Sequence, residues 1–143
     1  MRGVLFDALP VIEGARNRLE NEGIAERCEA VAGDFFESVP SGGDAYILKW
    51  IIHDWDDEHS INILRNCHGA MAENGRLLLV EAVVPHGSEP HFSKYMDLNM
   101  LIMTGGRERT EDEYRTLLKA SGYRLTRIIS TASPMSVIEG ERA

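Results

Sequence analysis

Residues 44–67, DAYILKWIIHDWDDEHSINILRNC, decide how this chain is read. An apolar run broken only by Lys49 ends abruptly at His53. Trp50 and Trp55 bracket the change, and three acids, Asp54, Asp56 and Asp57, come before a helical pattern. A continuous apolar run of this length is what a strand covered on both faces carries. From residue 57 to 73 the period becomes helical, with Ile61, Leu64, His68 and Met71 on one stripe and Asn74-Gly75 as the stop. His53 therefore stands at the exit of a strand. Three roles are open to it on the residues alone: a surface loop residue, a core histidine with satisfied hydrogen bonds, or a base aimed into a cleft. Asp56 or Asp57 is expected to cap the helix.

The same alternation extends in both directions. Upstream, GVLFD (residues 3–7) reads as a strand and PVIEGARNRLENEG as a helix with Pro10 near its start, Ile12, Ala15 and Leu19 at helical spacing, and Gly23 as its stop. CEAVAGDFF reads as the next strand and SVPSGG as a loop. Downstream, RLLLVEAVV (residues 76–84) is another buried strand closed by Pro85. FSKYMDLNMLIMTGG is a Met-rich helix stopped by two glycines. Thr110 followed by Glu113 has the capping-box spacing, which predicts a helix over residues 111–121. YRLTRIIST and PMSVIEGE read as paired terminal strands. Short apolar runs alternating with helices imply an α/β structure with helices on both faces of a mostly parallel sheet. In such sheets ligands sit beyond the carboxyl ends of the strands, and Asp7, Asp34, His53 and Glu81 all fall at or just past those ends.

Composition narrows the functions. With 143 residues, 43% hydrophobic and 27% charged, the chain suits one soluble globular domain. No apolar stretch approaches the ~20 residues that span a bilayer, and MRGVLFDALP lacks the features of a signal peptide, so a cytoplasmic protein without membrane contact is expected. A net charge of −8 argues against a nucleic-acid partner and for a neutral or cationic small molecule. Cys28 and Cys67 read as buried free thiols. Neither HExxH nor a Cys/His cluster is present, so no metal site is expected.

In their order, RGVLFD, GDFF, LKWIIHDWDDEH, RLLLVEAVVP and TGGRERTEDEY resemble the C-terminal catalytic domain of S-adenosylmethionine-dependent O-methyltransferases of the plant caffeate and acetylserotonin type, with bacterial relatives. The resemblance spans nearly the whole chain. It implies a Rossmann-like sheet, mostly parallel with an antiparallel terminal strand, in one methyltransferase domain over residues 1–143. It also implies S-adenosylmethionine as cofactor and a small, aromatic hydroxyl compound of secondary metabolism as methyl acceptor. By resemblance, Asp7 holds the ribose hydroxyls, Asp34 and Phe35 flank the adenine, Lys49 lies near the methionine end, and Asp54 and Trp55 shape the pocket wall. His53 is then the general base, flanked by Glu81 and Glu108, one of which orients the imidazole through its other nitrogen. Met96, Met100 and Met103 are placed to sandwich a flat substrate.

Bland readings stand beside these. Asp7 and Asp34 also suit helix caps, Lys49 a snorkelling side chain, the methionines a core, and GGRERT a turn with a cap. One departure from the family is large. Its members carry a strand and a GxGxG turn before the RGVLFD strand, and a helical dimerisation domain before that, and neither is found in this chain. The expectation is a truncated domain with its first strand missing, so that a gap lies between the GVLFD and DAYILKW strands. It is expected to associate through its exposed edges as a homo-oligomer, strand exchange being one route, and to bind cofactor weakly or not at all by itself. A non-catalytic remnant or assembly module is the alternative function.

Overall fold

A computed structural model describes residues 1–143. The chain runs β1 (Gly3–Asp7), α1 (Leu9–Asn21), β2 (Cys28–Ala32), β3 (Ala45–Lys49), α2 (Asp57–Ala70), β4 (Arg76–Glu81), β5 (Val83–Val84), α3 (Phe92–Met103), β6 (Arg109–Thr110), α4 (Glu111–Ala120), β7 (Tyr123–Ser130) and β8 (Ser136–Arg142). It is an α/β structure. β1 and β2 pair in parallel, in register from Gly3 opposite Cys28 to Asp7 opposite Ala32. A second sheet has the order β3-β4-β8-β7, with β3 and β4 parallel and β8 antiparallel to both of its neighbours. β5 and β6 form a short parallel pair beside it.

Why the core lies where it does follows from β4. Successive strand side chains point to opposite faces, so Leu77, Leu79 and Glu81 share one face and are all buried. That face meets α2 and α4 through Ile63, Leu64, Cys67, Leu117 and Leu118. The opposite face is more open: Ile47 is 66% exposed and Ile129 42%. Helices on both faces were expected, but α2 and α4 cover one face of the four-stranded sheet, while α1 lies against β1 and β2.

The α2 stripe also differs from the expected one. Leu64 is buried as expected, and so is Met71 just past the helix, but Ile61 and His68 are only half-buried, and Ser60, Ile63 and Cys67 join the buried face instead. The helix stops at Ala70, and Met71 turns extended before Asn74-Gly75 is reached. α4 starts as expected, with the reciprocal Thr110–Glu113 capping box. Both cysteines are free, Cys67 buried and Cys28 half-buried.

β1 pairs only with β2, and β3 only with β4. The two unpaired edges face a cleft of about 1050 Å³ whose lining includes Leu5, Phe6 and Asp7 from β1 and Tyr46, Leu48 and Lys49 from β3. This is the gap expected between those strands. No helix is long and apolar enough to cross a membrane.

Candidate active site

The expected strand of residues 44–52 ends early, at Lys49. Trp50 takes φ 55, a left-handed conformation that a bulky residue rarely adopts. The chain then leaves the sheet and enters a single 3-10 turn over Ile52–Asp54, in which Ile52 and His53 are buried. Lys49 itself is exposed, its amine 5.9 Å from the Trp50 ring centroid.

Glu81 holds this turn from below. Its Oε1 accepts the Ile51 N–H at 3.1 Å and the Ile52 N–H at 3.0 Å, and its Oε2 lies 3.8 Å from His53 Nδ1. Glu108 reaches the same nitrogen from the loop after α3, with Oε1 2.9 Å from Nδ1. The Glu108 N–H in turn donates to Asp97 Oδ1 at 2.9 Å. The other ring nitrogen, Nε2, is 3.6 Å from Asp54 Oδ1. With Nδ1 donating to Glu108, Nε2 is the nitrogen left with a lone pair.

Close approach of the two loops depends on glycine. Gly105 has φ 78. A Cβ on Gly106 would lie 2.0 Å from the His53 carbonyl oxygen, and the Arg107 N–H donates to that oxygen at 2.9 Å. The GG pair, expected as a helix stop and part of a turn, is thus also the contact surface for the histidine turn.

Electrostatics follow from burial and proximity. Burial disfavours the charged imidazole, but the Glu108 hydrogen bond and the charges of Glu81, Glu108 and Asp54 together outweigh it, so the His53 pKa lies above its ordinary 6.5. Burial dominates at Glu81 and pushes its carboxyl up to about 7, against the opposing His53 charge and the Ile52 and Ile51 N–H groups. Glu81 Oε2, Glu108 Oε2 and the Tyr114 hydroxyl are buried without hydrogen-bond partners. His53, Glu81 and Glu108 bring ligand-type atoms within 4.8 Å of one another. The direct Nδ1–Glu108 hydrogen bond accounts for the closest of those contacts.

The remaining candidates are held by contacts of their own. Asp7 ends β1 and accepts the Ala8 N–H at 2.7 Å. Asp34 does not continue β2, which stops at Ala32; its Oδ1 instead accepts the Phe36 N–H at 2.8 Å in a turn. Phe35 and Phe36 pack edge-on to Trp55, with ring centroids 6.3 and 4.8 Å away. Asp7, Phe35 and Lys49 line the cleft between β1 and β3. Asp54 is partly exposed. Asp56 caps α2 by accepting the His59 N–H at 2.9 Å. Along α3, Met100 is buried, Met96 half-buried and Met103 77% exposed. Sequence reasoning overlooked Arg109 and Tyr114, both fully buried. Arg109 carried no signal beyond its place in GGRERT, and Tyr114 none beyond its place on the apolar side of α4.

The profile of a family described as O-methyltransferase domain matches residues 1–124. Among curated proteins, the phenazine O-methyltransferase PhzM of Lysobacter antibioticus is 52% identical over 138 residues, 96% of this chain and 40% of that protein. A solved structure of LaPhzM superposes with TM-score 0.96 and 51% identity, covering 99% of this chain and 43% of its own. An O-methyltransferase from neocarzinostatin biosynthesis, NcsB1, was solved with S-adenosylmethionine and 2-hydroxy-5-methyl naphthoic acid. It superposes with TM-score 0.90 and 31% identity, over 100% of this chain and 42% of its own. The chain spans about two-fifths of the length of these relatives.

Proposed function

Because the chain belongs to the O-methyltransferase domain family, we propose that it supplies the acceptor-activating part of an enzyme that methylates a hydroxyl of a small aromatic compound, with His53 as general base. The observation that carries this reading is the buried His53 with Nδ1 held 2.9 Å from Glu108. The bound naphthoic acid of NcsB1 supports an aromatic acceptor.

S-adenosylmethionine, the donor with which that relative was solved, supplies the electrophilic methyl when bound. The residues present fit it. Asp7, Phe35 and Lys49 line one cleft, and a strand-end carboxylate, an aromatic ring and an amine suit ribose hydroxyls, a purine and a carboxylate. Asp34, Asp54 and Trp55 complete the proposed set, and Met96, Met100 and Met103 the acceptor wall.

His53 takes the acceptor proton on Nε2. A phenol with pKa about 10 is only ~0.1% ionised at neutral pH, and general-base help is worth ~10²- to 10⁴-fold, enough to offset that deficit. Glu108 keeps the Nδ1 proton in place and stabilises the imidazolium that forms. Glu81 braces the turn through its two backbone bonds. Alignment of the acceptor oxygen with the methyl supplies the rest.

His53→Gln in the protein carrying this domain tests the reading. Turnover of a hydroxynaphthoic acid should fall by about 10²-fold or more while S-adenosylmethionine affinity stays the same; unchanged turnover refutes it. The free edges of β1 and β3 favour a second reading for the 143-residue chain by itself: weak or absent cofactor binding, with self-association through those edges. Calorimetric titration giving micromolar affinity for this chain alone would overturn that.

A further inference from the structure

Arg109 is fully buried, which for arginine requires that nearly every donor be satisfied. Its Nε and Nη2 donate to Asp57 Oδ1 at 2.9 and 2.8 Å. Nη1 donates to the Ile52 carbonyl at 3.0 Å and the Arg107 carbonyl at 3.3 Å. Nη2 also donates to the Trp55 carbonyl at 2.9 Å and Ser60 Oγ at 3.3 Å. All partners but one therefore fall between Ile52 and Ser60, the turn that carries His53 and the first turn of α2. The carbonyls of Ile52 and Trp55 stand on either side of His53 in sequence. Glu108, which holds the imidazole, is the residue immediately before Arg109.

We infer that Arg109 is a positioning residue for His53: its planar fork locks residues 52–55 against the loop that presents Glu108, so that the imidazole stays on that carboxylate. A guanidinium reaches several carbonyls and a carboxylate in one plane, which a lysine amine cannot do. Glu108 and Arg109 thus act from one short segment, the first on the ring and the second on the backbone that bears it. Gly106 and the Arg107 N–H seat the same loop on the His53 carbonyl. The catalytic consequence rests on the reading of His53 as the base; the positioning claim does not.

Arg109→Lys is the informative variant because it keeps the positive charge and removes the fork. The groups that charge His53 from its surroundings, Glu81, Glu108 and Asp54, are left untouched. The experiment is an NMR pH titration of the histidine rings of the 143-residue chain. In the parent, His53 should titrate above 6.5 and show a protected Nδ1 proton. In Arg109→Lys its midpoint should move down and that proton should exchange rapidly, while His68, remote from the turn, titrates as in the parent. An unchanged midpoint and a protected Nδ1 proton would overturn the inference. If the lysine variant does not fold, Asp57→Ala decides, since Asp57 is largely exposed and only the carboxylate anchor of the fork is lost. A smaller shift in the same direction supports positioning, and an unmoved His53 overturns it.

In the protein carrying this domain, Arg109→Lys should lower turnover by about 10²-fold, as a misplacement on the order of 1 Å does, with acceptor KM little changed. Failure of the base reading is seen separately, as turnover that survives His53→Gln with the NMR result intact.

Discussion

Although 55 residues separate them in sequence, His53 Nδ1 and Glu108 Oε1 meet at 2.9 Å inside the protein. One residue comes from the turn after β3 and the other from the loop after α3. Their contact exists only because Gly106 lets those two segments touch.

Glu108→Gln should lower the His53 pKa. Burial opposes the imidazolium and Glu108 is a main counterweight, so losing its charge leaves burial opposed only by Glu81 and Asp54. In the parent, the pair contributes stability that is fully present below 6.5, the ordinary histidine value, and is lost as pH rises through the higher folded value. Denaturant unfolding at a series of pH values should therefore show a smaller loss between pH 6 and 8 in the variant. An identical pH profile would contradict this.

Glu81→Gln should stabilise the protein at alkaline pH. The folded pKa of Glu81, about 7, lies above its ordinary 4.5. Between these values the folded protein keeps a proton that the unfolded chain releases, so stability declines as pH rises through that window and is flat beyond it. At about 1.36 kcal/mol per pH unit the penalty totals about 2–4 kcal/mol. Glutamine keeps an oxygen for the Ile51 and Ile52 N–H groups. The thermal midpoint should exceed that of the parent near pH 8 and match it near pH 4.5, which calorimetry would read directly.

Gly106→Ala should destabilise the protein and displace the turn. The added carbon would meet the His53 carbonyl oxygen at 2.0 Å and the Asp54 carbonyl carbon at 2.4 Å, backbone atoms that cannot swing aside. Overpacking of this kind costs typically about 1–3 kcal/mol. Urea unfolding should show that loss, and the Nδ1 proton of His53 should lose protection; a parent-like midpoint would show that the loops yield freely.

Thr110→Ala should cost about 1 kcal/mol, the usual worth of an N-cap. It deletes the hydroxyl that accepts the Glu113 N–H and also donates to Glu113 Oε2. Because α4 covers the sheet through Leu117 and Leu118, the effect should appear in global unfolding rather than as local fraying at the α4 terminus, a distinction that hydrogen exchange would make.

What the sequence determined by itself is local. The apolar run of β4, the helical period after Asp57, the capping box at Thr110, the glycine stop after α1 and the paired strands at the end are properties of neighbouring residues, and each was legible. The family motif carried the candidate residues with it. What only the tertiary structure decided depends on partners far along the chain. β3 stops at Lys49 because Trp50 enters a left-handed conformation, with its indole N–H on Met135, 85 residues away. α2 buries Ser60, Ile63 and Cys67 beside the expected Leu64 and leaves Ile61 and His68 half-buried, because the core it meets is wider than its most obvious stripe. Of the two acids flanking His53, Glu108 takes the ring nitrogen and Glu81 the backbone, a division set by where two loops cross. Arg109 is buried only because six acceptor contacts from residues 52–60 and 107 close around it. Periodicity reports which face of one element is apolar; it holds no information about which polar groups a second element will bring within 3 Å.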